Sequence, residues 1–447
     1  MPASYNHAAT PPRPWKRASL WLAFLGPFFF ASYGFANWLA SRRETVGAIV
    51  FDWERHVPFA AWTIVPYWSI DLLYGLSLFF CATRRELDVH GRRLLCAQLI
   101  CVACFVMFPL RFTFLRPETG GFFGLMFDVL MGFDKPFNQA PSLHVALLVI
   151  LWVLYLRHAP GPWRWVLHGW FALIGVSVLT TYQHHFIDIP TGLWVGWLCV
   201  WLFPEQGRSL VSTASLSNDP RRLALATRYC AGALAVGGLA ILFGGGALWL
   251  LWVSGSLALV AAIHAFFGES AFQKGASGSM SIAAWWLLGS YFLGAWLNSR
   301  WWTRSTRSAD VVVPGLLLGR LPTRKEREIH CVRAIVDVTA ELPCAADGVH
   351  YVNVPVLDLV PPSIAQIERA VAAIESGFAN GPVLVCCALG FSRSATAVAA
   401  WLAASGRAAS HADAIEQVRR ARPVVVLDAS HVAVLEQFAQ RRADAIT

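Results

Sequence analysis

Long apolar runs, broken by short polar stretches, fill the first two thirds of the chain. They cover residues 19–40, 58–82, 94–110, 143–156, 163–182 and 189–203. About 20 apolar residues in a helix cross a bilayer, so these runs predict six membrane helices, the shorter ones ending inside a bundle. A Ser-rich polar stretch, 206–222, comes next, followed by further apolar runs at 229–244, 247–267 and 281–297. Only Gly244, Gly245 and Gly246 separate the first two of these, which form either a tight hairpin or one long irregular element. Beyond Arg300 charges recur regularly, Trp becomes scarce, and strand patterns alternate with helical ones. Strands are predicted over 311–319, 334–338, 351–356 and 383–385, and helices over 363–377, 394–405, 410–421 and 429–442. The predicted architecture is a multi-pass α-helical membrane bundle followed by a soluble α/β domain. It divides into a basic polar tail (1–18), a six-helix core (19–204), a polar linker (205–227), additional membrane helices (228–300) and a soluble domain (305–447).

Composition supports this division. Of 447 residues, 56% are hydrophobic and 14% charged, against about 25% charged in soluble domains. The formal charge of +9 comes from Arg clustered beside apolar runs. That is the pattern of membrane flanks, so the lipid bilayer is the expected partner and nucleic acid is not. Residues 19–40 are long enough to anchor and lack a small-residue cleavage site, which argues against a signal peptide. The ten Cys form no disulfide framework. Cys101 and Cys104 have zinc-ligand spacing but lie within an apolar span, so no metal or cofactor is expected.

The densest chemistry lies at 383–394. Val383, Leu384 and Val385 lead into Cys386 and Cys387, a loop holds Gly390, and Ser394 opens an Ala-rich helical stretch. A strand-loop-helix unit aims backbone N–H groups at one point on the positive end of a helix, which makes an anion site. Cys387 sits at its mouth, where the helix terminus and Arg393 favour thiolate. Arg393 can close over the anion with a bidentate fork, and Ser394 can donate to the sulfur. Cys387, Gly390, Arg393 and Ser394 make the loop resemble that of the dual-specificity branch of the cysteine-dependent protein phosphatases. Cys386 stands where that family has His, placing a second thiol beside the nucleophile. The resemblance spans about 309–447 and implies a general-acid Asp some 30 residues upstream of the nucleophile. Asp358, in a loop between a strand and a helix, fits that role, with Asp337 as its rival.

Polar residues in apolar territory form three further clusters: 109–117, 138–144 and 180–188. Such groups are costly in a membrane and mark function. Counting spans puts all three on one membrane face. Arg116 with Pro117, then Pro141, Ser142 and His144, then His184 and Asp188, resemble the three motifs of the type 2 phosphatidic acid phosphatase superfamily. The Pro-Ser-Leu-His form is most similar to the inositol-phosphorylceramide synthase branch. The resemblance implies His184 as nucleophile, Asp188 orienting its ring, and His144 protonating the leaving oxygen. Arg111 and Arg116 would hold phosphoryl oxygens. Pro109 and Val178 replace a Lys and an Arg of the phosphatase branch, so transfer to an alcohol rivals hydrolysis. His185 reads as structural.

Together these features predict a bifunctional membrane phosphatase. One site would act on a phospholipid or polyprenyl phosphate through His184. The other would act on a phosphoprotein, phosphoinositide or other phosphomonoester through Cys387. The alternatives are a lipid head-group phosphotransferase with an attached product phosphatase, and a membrane-anchored signalling phosphatase whose membrane site is degenerate. Arg13, Lys16 and Arg17 before the first span argue for a cytoplasmic N-terminus in a cell inner membrane. That choice puts the histidine site at the periplasmic face. Arg300, Arg304 and Arg307 argue for a cytoplasmic terminal domain, which requires that 229–267 not cross twice.

Overall fold

The computed structural model describes residues 13–444; the first twelve residues of the predicted polar tail lie outside them. Two compact units emerge, Met1–Ser212 and Thr213–Thr447.

The first unit is helical: α1 (Trp15–Ser41), α2 (Ile64–Phe80), α3 (Arg84–Met107), α4 (Gly121–Phe133), α5 (Leu143–His158), α6 (Trp163–Thr180) and α7 (Asp188–Leu202). The short α8 (Leu210–Thr213) follows. Helix α5 is buried on almost every face, as its all-round apolar sequence requires, and α2, α3, α6 and α7 pack around it. Helix α1 starts four residues before the predicted span, inside the expected polar tail, and takes up Lys16 and Arg17. Helix α3 starts ten residues before its apolar run because Thr83 caps it, accepting from Glu86 N at 3.1 Å. Helix α4 was not foreseen. Its apolar run is 13 residues long, too short for a spanning pattern.

The second unit opens with α9 (Pro220–Phe243), capped by Asp219, which accepts from Arg221 N at 2.9 Å. This helix starts inside the predicted linker. Helix α10 (Leu250–Ala262) runs back along it and ends in a π turn, Ile263–Phe267. Ser254 donates to Ala233 O (2.8 Å) and Arg222 to His264 O (3.0 Å), so 229–267 is a hairpin and not one long element. Among the described residues, five helical stretches are long and apolar enough to cross a membrane: 15–41, 61–80, 84–107, 220–243 and 245–267. Shorter apolar helices, Gly121–Gly132 and Leu143–His158, lie beside them.

Helix α11 (Ile282–Trp302), the last predicted span, is not among those five. It lies along the α/β domain and is tied to it near both ends. Before it, Lys274 pairs with Asp337 at 2.5 Å and Gly278 O accepts from Cys344 N at 2.9 Å. At its far end Ser299 Oγ donates to Ala388 O (2.5 Å) and Arg300 to Leu321 O (3.1 Å). Residues on both sides of the predicted boundary at 300–305 thus fall in one compact unit.

The α/β domain has a five-stranded sheet of order β1-β2-β5-β3-β4. The strands are β1 (Ala309–Val313), β2 (Leu316–Arg320), β3 (Ala334–Thr339), β4 (His350–Val356) and β5 (Val383–Cys387). The single strand predicted at 311–319 is two antiparallel strands, because Pro314 and Gly315 turn the chain. All other neighbours are parallel, with β5 central. Its alternate residues face opposite ways. Val383, Val385 and Cys387 pack with α13 (Ile364–Gly377), α14 (Arg393–Ala404), α15 (His411–Ala421) and α16 (Ala429–Asp444). Leu384 and Cys386 face the other side, against which Ala295 of α11 packs. The short α12 (Arg324–Ile329) was also unforeseen; Thr323 and Glu326 close it with a capping box.

Candidate active site

Cys387 ends β5 and α14 begins six residues later at Arg393, so the intervening loop wraps the sulfur at the N-terminus of a helix. Gly390 N donates to Cys387 Sγ at 3.2 Å and Ser394 Oγ at 3.3 Å. Gly390 holds φ +75°, and a Cβ there would lie 2.4–2.6 Å from the Gly319 and Arg320 backbone, so no larger residue fits. Arg422 braces the loop from behind, donating to Gly390 O at 2.9 Å while paired with Asp310 at 2.6 Å.

Arg393 is deeply buried, at 4% exposure, and Glu341 holds it. Nη1 reaches Glu341 Oε2 at 2.8 Å and Nη2 reaches Oε1 at 2.6 Å. Nη2 also meets Asp358 Oδ1 at 2.8 Å, and Nη1 donates to Val356 O. Burial opposes charge on Glu341, but the Arg393 guanidinium outweighs it and holds the carboxyl below its usual range. At Asp358 burial wins, helped by Glu341 nearby and opposed by Arg393, and its carboxyl is raised. Asp358 is 29% exposed and stands at the rim of the site. Asp337, its rival, is fully buried between Lys274 and Tyr351, which donates at 2.9 Å; it cannot reach a substrate. Burial pushes the Cys386 thiol well up, on the face of the sheet away from Cys387. Glu341, Arg422 and Ser299 went unread in the sequence, since each lies far along the chain from the loop it supports.

Residues 318–441 match the family model of the dual specificity phosphatase catalytic domain. The chain is a phosphoric monoester hydrolase. Similar solved structures include Tk-PTP in its active form, 29% identical over 30% of this chain and 99% of that one, with a TM-score of 0.28. Human DUSP28 is 28% identical over 31% of this chain and 96% of its own, TM-score 0.28. PTPMT1 in complex with PI(5)P is 23% identical over 32% and 100%, TM-score 0.29.

In the first unit, the second and third polar clusters meet. His184 Nδ1 lies 3.0 Å from Asp188 Oδ2, and its Nε2 lies 3.2 Å from Ser142 Oγ. Glycines make this possible. Gly192 and Gly196 lie on one face of α7, and a Cβ on either would come within 2.6–2.8 Å of α5 or its cap, at Ser142 O and Val145 or at Ala146 O and Val149. The small-xxx-small spacing lets the two backbones approach. His144 stacks on Tyr67 with centroids 4.2 Å apart, and its Nε2 is buried with no hydrogen-bond partner among the described residues. Arg116 donates to Thr181 O (3.2 Å) and Tyr182 O (3.3 Å), just ahead of His184, with its guanidinium over Phe127. The side chain of Arg111 is exposed and has no hydrogen bond or ion pair among the described residues; its backbone N–H donates to Gly47 O. His185 is clamped between Glu54 Oε2 (2.9 Å) and Thr113 (3.1 Å to Oγ1), as a structural residue would be. Burial opposes charge on Glu54, but donors from His185, Phe51 and Phe186 outweigh it and hold the carboxyl low.

Proposed function

We propose that the second unit hydrolyses phosphomonoesters through Cys387. The carrying observation is the sulfur held by Gly390 N–H and Ser394 Oγ at a helix N-terminus, next to an Arg393 fixed by Glu341. The Cys387 thiolate attacks phosphorus; an S–P bond forms as the ester P–O bond breaks, and Asp358 gives its proton to the departing oxygen. The phosphoryl group takes over the Arg393 contact that Asp358 now occupies. Asp358, then a carboxylate, takes a proton from water as that water attacks phosphorus, and S–P cleavage releases phosphate and restores the thiolate. Turnover of an aryl phosphate by the full chain should vanish in Cys387→Ser; persistence of wild-type turnover would remove this mechanism.

A second site in the first unit is supported by the His184–Asp188–Ser142 cluster. In this reading His184 Nε2 attacks a lipid or polyprenyl phosphate, Asp188 holds the ring through Nδ1, and His144 protonates the leaving oxygen. Arg116 is the phosphate ligand this site favours; Arg111 would have to swing in from the surface. Phosphoryl transfer to water or to an alcohol are both open to this chemistry, and stimulation of turnover by an added alcohol acceptor distinguishes them. The basic residues flanking the apolar helices favour an inner-membrane protein with the histidine site at the periplasmic face and the terminal domain in the cytoplasm. A periplasm-dependent reporter fused after Thr447 should stay silent.

A further inference from the structure

Between α9, α10, α11 and the loop after β5 lies a cavity of about 360 Å³, within the size range of small-molecule sites. Its floor adjoins the phosphatase site: it is formed by Glu341 and Asp358, which hold Arg393, and by Ala388 and Leu389, which follow Cys387. Its walls are apolar and aromatic, with Leu257 on α10, Tyr229 on α9 and Tyr291 on α11. One end thus borders the residues that hold Arg393, and the other is walled by hydrocarbon and aromatic side chains.

Helix α11 is patterned for this. Ser290, Gly294, Ala295 and Asn298 fall on one face and line the cavity, while Trp285, Trp286 and Trp296 are exposed elsewhere on the helix. Small residues keep the space open, and Trp suits a membrane–water boundary. Ser290 Oγ is buried in the wall with no hydrogen-bond partner among the described residues, which a ligand oxygen would supply. The α9–α10 hairpin that forms the other walls is one of the parts of the chain apolar enough to enter a bilayer. It leaves Leu242 75% and Phe243 72% exposed, far more apolar surface than water favours.

We propose, on the basis of the Cys387 phosphatase reading, that the substrate of this site is a membrane lipid phosphomonoester. Its phosphate enters the cavity to reach Cys387 while its acyl chains stay with α9–α11. One water is consumed, and the products are orthophosphate and the lipid alcohol, which remains in the bilayer. A phosphopeptide would leave the hydrocarbon wall unmatched.

The test uses full-length His184→Ala protein in zwitterionic phospholipid nanodiscs, counting only turnover that a further Cys387→Ser change removes. Substrates are long-chain phosphatidic acid, its dibutyryl analogue, a phosphotyrosyl peptide and an aryl phosphate. The long-chain lipid should exceed the dibutyryl analogue and the peptide in kcat/KM by at least roughly tenfold, the scale on which apolar pockets discriminate. Ala295→Phe and, separately, Leu257→Trp should lower the ratio of lipid to aryl phosphate turnover by a similar factor. Equal or better turnover of the peptide or the short-chain analogue overturns the proposal, as does an unchanged ratio in the variants. The chain-length comparison needs no cavity variant, so it decides even if both misfold. Aryl phosphate turnover that survives Cys387→Ser instead sinks the phosphatase reading itself.

Discussion

Glu341 grips Arg393 with both carboxylate oxygens, at 2.6 and 2.8 Å, and the two side chains are 2% and 4% exposed. A buried pair of this kind fixes the guanidinium plane so that its remaining edge can meet a phosphoryl group. Removing one partner strands the other charge, at a cost of roughly 3–5 kcal/mol. Glu341→Gln should therefore lower the melting temperature and reduce aryl phosphate kcat/KM more than tenfold, at the level expected for a lost charged contact. Because Glu341 holds Arg393 in place, the loss should appear in KM as well as kcat. A variant with wild-type kinetics would exclude a positioning role.

The same pair makes stability depend on acid. The Glu341 carboxyl is depressed in the folded chain, so its contribution is present above the ordinary carboxylate pKa of about 4 and is lost as pH falls through the depressed value. Denaturation midpoints measured from neutral pH downward should fall in the wild type, and fall less steeply in Glu341→Gln.

For Asp358 the sign is opposite. Its carboxyl is raised, so it stays protonated to higher pH than a free Asp and can act as an acid there. With substrates of poor leaving groups, kcat/KM should decline as pH rises through that raised value. Asp358→Asn should remove this basic limb and slow such substrates by about 10²–10⁴, while activated aryl phosphates lose less. A basic limb surviving in the Asn variant would point to another acid.

In the first unit, Gly192 and Gly196 set the distance between α5 and α7. Gly192→Leu should push Ser142 from His184 and abolish turnover of lipid phosphate by a Cys387→Ser protein, as should His184→Ala and Asp188→Asn. Lipid turnover by Cys387→Ser/His184→Ala at the level of Cys387→Ser would exclude the histidine mechanism.

The phosphate loop was legible because it is local: strand, sulfur, glycine, arginine and helix follow within a dozen residues. Asp358 was found by its distance from Cys387. Glu341 was not, since only the parallel pairing of β3 with β5 carries it across the 52 residues to Arg393. The turn at Pro314 and Gly315 was visible in the sequence and was overridden by the β-preferring residues on either side. Helix α11 was legible as an apolar helix, but its ties to the α/β domain through Ser299 and Arg300 were not, since their partners Ala388 and Leu321 lie elsewhere in the chain. The Gly192 and Gly196 spacing was also present, but its partner surface on α5 was not.

The Lys274–Asp337 pair, 2% and 0% exposed, has a consequence for any attempt to transplant the catalytic half. A cut at residue 305, where the composition changes, removes Lys274 from Asp337 and the Ser299 hydroxyl from the Ala388 carbonyl, and bares the sheet face on which Ala295 packs. A portable version of this enzyme should therefore keep its native contacts only if it starts before Lys274 and carries α11, whose exposed Trp and Leu side chains make the module itself apolar.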